Sequence, residues 1–161
     1  MLQTFLDSVD AVGVMLSREY VRSPSREGYH RILALIRPGV QCLDLSEIPS
    51  AARNKTGEAV AAALYETLSR IKLPRSDEIP SPEQLNEFPG ANAIRWVIPH
   101  TEIALERAVT GPRQGDFLFA SYIVARAMEF YERVRGRPYT RPVPFANLEE
   151  VMTVQAGINK L

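Results

Sequence analysis

One cysteine, Cys42, is all the chain carries, so no intramolecular disulfide and no multi-cysteine metal site is open to it. Histidine is almost as scarce, with only His30 and His100. His30 with Glu27 offers one or two metal ligands where zinc wants three or four, so neither a metal nor a cofactor is expected. Long apolar runs are missing too. The longest, Ala59 to Tyr65, falls well short of the roughly 18 to 20 residues that cross a bilayer and sits inside an amphipathic pattern. The opening Met1-Leu2-Gln3-Thr4-Phe5 lacks the basic region and long apolar core of a signal peptide, and the isolated chain is expected to be soluble. Excess charge of either sign is absent. Lys+Arg 19 against Asp+Glu 19 leaves a formal net charge of zero, so no global field draws in nucleic acid, and no nucleic-acid partner is expected.

What is present is helical periodicity over most of the length. At 161 residues the chain is long enough to bury about 70% of its unfolded surface in one core. Leu2, Phe5, Leu6, Val9, Val12, Leu16 and Tyr20 recur at three- and four-residue intervals and predict a first helix over Leu2 to Tyr20. Ser23-Pro24 has the form of a helix start, and Pro38-Gly39 that of its stop, with Tyr29, Ile32, Leu33 and Ile36 between them. Leu43, Leu45 and Ile48 pin a connector. A third helix is predicted from about Thr56 to Leu73, ended by Pro74 and bearing Val60, Leu64, Leu68 and Ile71 on one face. Pro74, Pro80, Pro82 and Pro89 then force a surface excursion, with room for a short helix around Glu83 to Glu87 and with Ile79, Leu85 and Phe88 as its anchors.

Between Trp96 and Arg137 the apolar period drops to two. Ile94 to Ile98, Glu102 to Val109 and Asp116 to Phe119 read as three strands of a meander. Pro99-His100-Thr101 makes one turn, and Thr110 to Gly115 makes the other, with two glycines free for positive backbone angles. An apolar sheet face needs a cover. The helix Ser121 to Arg135 supplies one through Val124, Ala127, Tyr131 and Val134, with Gly136 expected as its left-handed stop. Trp96, Phe117, Phe119 and Tyr131 are the predicted structural core. The expected fold is therefore α+β, mostly helical, with a small antiparallel three-stranded meander covered by a C-terminal helix. Residues 1–139 form the single compact domain in this reading, and 140–161 form a proline-containing tail that either docks back or leads toward a further segment.

The strings Trp96-Val97-Ile98-Pro99-His100-Thr101-Glu102-Ile103, Gly111 to Phe119, Val124-Ala125-Arg126-Ala127 and Phe130-Tyr131-Glu132-Arg133-Val134 carry a resemblance, supported by Cys42 to Pro49 and Leu68-Ser69-Arg70-Ile71. Together they resemble the extracytoplasmic N-terminal region of bacterial small-conductance mechanosensitive channels, over about Leu2 to Tyr139. The chain departs from such relatives at Ala120-Ser121-Tyr122, where they carry Ser-Pro. The resemblance implies a non-enzymatic accessory domain on the extracytoplasmic, periplasmic side of a membrane protein. Its partners would be the remainder of the channel and copies of itself in a homo-oligomer. No pore lies in these residues.

The site candidates fit that reading. Arg133, Arg135, Arg137 and Arg141 cluster at the last helix end, where they complement the helix dipole or, near a membrane, meet anionic lipid headgroups. His100 as a general base and Cys42 as a nucleophile each need a partner that nothing in the sequence supplies. Gly111-Pro112-Arg113-Gln114-Gly115 lacks the lysine and hydroxyl of a phosphate loop and joins two strands, so a hairpin turn is the plainer reading. No catalytic, cofactor or metal residue is assigned. The alternative function is a free-standing module that binds a peptide or small ligand in a groove between sheet and helices.

Overall fold

The structure, a computed structural model, describes residues 1–87, 95–109 and 111–152. Helix α1 spans Leu2–Met15 and widens into a π-type turn at Leu16–Tyr20, together covering the predicted first helix. Its seven periodic apolar side chains, Leu2 to Tyr20, are all buried. Helix α2 spans Arg26–Val40 and is capped by Ser25, whose hydroxyl oxygen accepts the Gly28 N–H at 2.9 Å. It thus starts just past the expected Ser23-Pro24.

Helix α2 also runs through Pro38-Gly39, the pair that predicts its stop. Proline has no N–H for the helical ladder, and the next N–H, of Gly39, goes instead to the Ser8 hydroxyl of α1 at 2.9 Å. That hydroxyl donates in turn to the Leu35 carbonyl at 2.7 Å, so a side chain inserted from the neighbouring helix bridges the gap. A Cβ at Gly39 would sit only 3.1 Å from Ser8 Oγ, so a larger residue there would push the hydroxyl aside by a few tenths of an ångström.

After the connector, where Leu43 is buried and Leu45 and Ile48 are half-buried, a 3-10 turn at Ser50–Ala52 leads into α3, Arg53–Leu68. This helix begins earlier and ends sooner than the predicted Thr56 to Leu73. Its end is set from far away in sequence. The Thr140 N–H donates to the Ser69 carbonyl at 2.8 Å and the Thr140 hydroxyl to the Ile71 carbonyl at 2.6 Å, so the chain beyond Leu68 finds partners outside the helix. From Val60 to Leu68 every residue of α3 is buried, which makes it the central helix and not a one-faced surface helix. Ala61, Ala62 and Ala63 let α1, α2 and α5 pack close around it.

Helix α4, Pro82–Asn86, is the predicted short helix and opens on a reciprocal Ser81–Gln84 capping box. The sheet has β1 (Arg95–Val97), β2 (Ala104–Arg107) and β3 (Phe117–Phe119), antiparallel and in that order, with Trp96 opposite Leu105 and Leu105 opposite Phe119. The expected strand residue Ile94 and the expected anchor Phe88 lie outside the described residues. Ile103 and Leu105 are buried, whereas Val109, the last residue of the predicted second strand, lies past the end of β2 and is exposed. Gly111 and Gly115 do take positive φ, at 82° and 93°, and so does His100 in the other turn, at 65°.

Strand β3 is stitched to the connector: the Phe119 N–H donates to the Cys42 carbonyl at 2.8 Å, and the Asp44 N–H to the Phe119 carbonyl at 2.9 Å. Helix α5, Ser121–Val134, buries the predicted stripe Val124, Ala127, Tyr131 and Val134 and packs against α3. It reaches the sheet side through the Tyr122 hydroxyl, which donates to Glu106 at 3.1 Å. Ala120 occupies the cap position without a side-chain cap, and Gly136 does not adopt the left-handed conformation expected of a stop. The last turn closes instead through the Arg135 N–H to Tyr131 and the Arg137 N–H to Val134 carbonyls. The fold is α+β and mostly helical.

Candidate functional site

Two charges lie in the middle of the molecule. Glu66 and Arg70, four apart on and just beyond α3, have side chains 0% and 3% exposed and are paired directly. Removing two ions from water costs several kcal/mol each, so such a pair survives only where further hydrogen bonds satisfy it. They come from residues 137–148. The Tyr139 hydroxyl donates to Glu66 Oε2 at 2.8 Å, and the Leu148 N–H donates to Glu66 Oε1 at 2.7 Å. Arg70 Nε donates to the Arg137 carbonyl at 3.1 Å, and Arg70 Nη2 donates to the Tyr139 hydroxyl and to Asn147 Oδ1, both at 3.1 Å. Nη1 serves the Glu66 carbonyl and carboxylate. All five N–H donors of the guanidinium are thereby engaged. The Tyr139 ring also lies 4.2 Å from the guanidinium carbon, a cation–π contact, and its hydroxyl accepts the Asn147 N–H at 2.8 Å.

A second polar cluster adjoins the first. Asp10 of α1 accepts the Tyr65 hydroxyl at 2.6 Å and Arg141 Nη2 at 2.7 Å, while Arg141 Nη1 donates to the Ser69 hydroxyl at 3.3 Å. The segment from Arg137 to Leu148 is therefore a strap, bound to α3 and α1 by side-chain chemistry. Leu148 and Met152 beyond it join the hydrophobic core, with residues 148–152 helical. The expected division after Tyr139 falls inside this docked segment. Among the described residues no buried side-chain nitrogen or oxygen lacks a hydrogen-bond partner.

The two clusters hold their phenols in the protonated form. Burial, then the hydrogen bond to Asp10, pushes the Tyr65 phenol far up. Tyr139 is raised by burial and by its bond to Glu66, and Tyr20, Tyr122 and Tyr131 are raised chiefly by burial. A phenol whose folded pKa is raised holds its proton where the unfolded chain releases it. The associated stability is complete below the ordinary tyrosine value of about 10 and is lost as pH climbs above it. Alkaline titration followed by phenolate absorbance should show ionisation delayed past pH ~10 and then released cooperatively with unfolding; a smooth titration centred on ~10 would contradict this burial.

The predicted site residues fall in different places. Arg133 and Arg135 are about half exposed and are paired with Glu129 and Glu102, and with Glu132, respectively. Arg137 is exposed and joins the network only through its backbone. Arg141, 23% exposed, is committed to Asp10 and lies over the Tyr65 ring. The four arginines therefore do not form one uncompensated basic patch. Phe117, Phe119 and Tyr131 are buried, whereas Trp96 is half-buried.

His100 and His30 are exposed, and among the described residues no group of three metal-binding side chains comes together. The Cys42 thiol is buried beside the Pro38 carbonyl and pushed up by desolvation, which suppresses the nucleophilic thiolate. In the Gly111 to Gly115 turn, the N–H groups of Gln114 and Gly115 bond to Gly111 and Ala108 and that of Asp116 to Arg113, so these amides are spent inside the hairpin. Sequence reasoning misses Glu66 and Arg70. Their one signal is a charged pair at helical spacing in a stretch, Ala59 to Arg70, that otherwise carries only Ala, Val, Leu, Tyr, Thr and Ser. No family model, curated protein or solved structure matches the chain.

Proposed function

We propose that this chain is a non-enzymatic accessory domain of a mechanosensitive-channel-like membrane protein, placed on the extracytoplasmic side. The observation that carries the reading is the strap. Its hydrogen bonds to Glu66 and Arg70 clamp the C-terminal part of the chain to the central helix, so a displacement of that C-terminal part would act first on this joint. The buried ionisable groups are used to hold segments together, which is the chemistry of a mechanical coupling. No helix of the described residues is long and apolar enough to cross a membrane, so in this reading the spans lie elsewhere in the parent protein. The parent reading frame should continue past Leu161 into several apolar stretches of spanning length, and a stop codon directly after Leu161 overturns the proposal.

Contact with lipid headgroups is tempered by the acidic partners of the arginines. Sedimentation with phosphatidylserine vesicles is expected to be weak for the native chain. It should strengthen in the Glu129→Gln/Glu132→Gln variant, where Arg133 and Arg135 lose their nearest carboxylates and each freed charge contributes about 1 kcal/mol. Equal sedimentation of the two proteins would remove the headgroup reading.

One observation favours the binding-module alternative. An open groove of about 600 Å³, lined by Leu2, Leu6, Ile71, Leu73, Pro74 and Ile79 with Thr140 and Arg141 at its edge, has the size of a small-ligand site. It lies between α1, the chain after α3 and the strap, not between sheet and helices. A stop after Leu161 together with chemical shifts at Leu73 and Ile79 on adding a small amphiphile would favour this alternative.

A further inference from the structure

We infer that residues 137–152 form a releasable strap, a segment that leaves α3 as one unit while the rest of the domain stays folded. The inference takes its biological use from the accessory-domain reading, but its existence rests on the geometry alone.

The first argument is where the charges sit. Glu66 and Arg70 both belong to the α3 side, four residues apart, so when the strap departs the pair remains a pair. Water replaces the Tyr139, Asn147, Leu148 and Arg137 groups, and no lone charge is stranded in the core. Had one charge belonged to the strap, release would have left the other buried and uncompensated, which is strongly unfavourable. The second cluster is built the other way, with Arg141 on the strap and Asp10 on α1, but that pair is about a quarter exposed on each side and can be hydrated in place.

Much of the segment faces solvent. Arg137, Pro138, Thr140, Pro142, Pro144, Ala146 and Asn147 are exposed; the apolar anchoring of the segment is the half-buried Val143 and Phe145, the approach of Pro144 and Phe145 to Gly13 of α1, and Leu148 and Met152 at its far end. Segments with fewer buried apolar contacts than the core open at lower free energy. The second argument is the hinge. Gly136, directly after α5, has no atom of the described residues within 4 Å of where a Cβ would stand. Pro138, Pro142 and Pro144 keep the freed strap extended and reduce its competing conformations. A pull from the C-terminal side would therefore meet Met152 and Leu148 in the core first, and then the polar bonds of Asn147, Arg141, Thr140 and Tyr139 to the Glu66–Arg70 pair, Asp10 and the chain after α3.

Hydrogen exchange on the whole chain tests this. The amides of Thr140 and Leu148, bonded to Ser69 and Glu66 across the joint, should exchange at one common rate, on the order of tenfold or more faster than the α3 amides of Leu64 and Tyr65. Tyr139→Phe keeps the ring but deletes the hydroxyl that joins Glu66, Arg70 and Asn147. It should accelerate the Thr140 and Leu148 amides together by about tenfold and leave Leu64 and Tyr65 unchanged. Asn147→Ala is the second variant and should do the same at the Thr140 and Leu148 amides. Strap amides that exchange at the α3 rate in the native chain, or variants that accelerate α3 and strap alike, overturn the inference. A stop codon after Leu161 would end the channel reading without touching this result, and a strap that never opens would leave the channel reading standing without its release element.

Discussion

Glu66→Ala should destabilise the domain by about 3 to 5 kcal/mol, a fall in melting temperature of roughly 6 to 20 °C for a chain of this length. The alanine leaves Arg70 with its Arg137, Tyr139 and Asn147 contacts but without a counter-charge, in a place where its side chain is 3% exposed. It also strips the Leu148 N–H of its acceptor. Two compensations bound the loss. The strap can open and let water reach the guanidinium, which turns part of the damage into local release. Removing both charges, in Glu66→Leu/Arg70→Met, deletes the desolvation cost together with the attraction and should recover much of the loss while leaving the strap amides fast-exchanging. Calorimetry on the three proteins separates these terms. A Glu66→Ala variant that melts with the native chain would show that Arg70 does not depend on its partner.

The Glu66 network marks the limit of what the sequence shows. Local pattern places the helices and strands well, because burial on one face leaves a period, and α1, α4, the meander and α5 are all legible. Where the elements end is harder to read. The end of α3 at Leu68 depends on Thr140, the passage of α2 through Pro38 depends on Ser8, and both partners come from far along the chain. Position in the core is also hidden. Ala61 to Ala63 look like good helix formers in sequence, and only packing reveals that they make room for neighbours on every side. The strap has no local signature at all. Tyr139 and Asn147 are ordinary residues in a proline-containing tail, and their meaning depends on Glu66 and Arg70, some seventy residues before them in the chain.

The aromatic core gives the second large effect and a ranking that the sequence alone does not. Trp96, Phe117, Phe119 and Tyr131 are expected inside together, yet Trp96 is half-buried on edge strand β1, whereas Phe119 is fully buried on β3. The Phe119 ring stands edge-on to Phe5 of α1, with centroids 5.1 Å apart and planes at 66°, an arrangement the ring quadrupoles favour. Its backbone is bonded on both sides to the connector, through Cys42 and Asp44, and its Cα partner across the sheet is Leu105. Phe119 is thus where sheet, connector and first helix meet. Phe119→Ala should cost about 3 to 5 kcal/mol, since a cavity there is walled by three elements that cannot all collapse into it. Trp96→Ala should cost about 1 to 2 kcal/mol, in proportion to the smaller area it removes from water. Urea denaturation of the two variants gives the order directly. A Trp96 loss equal to that at Phe119 would mean that the sheet is anchored at its β1 edge instead of at its seam with α1. A double-mutant cycle between Phe5→Leu and Phe119→Leu should then return a coupling of about 0.5 to 1.5 kcal/mol, the part of the seam that belongs to the ring pair and to neither ring alone.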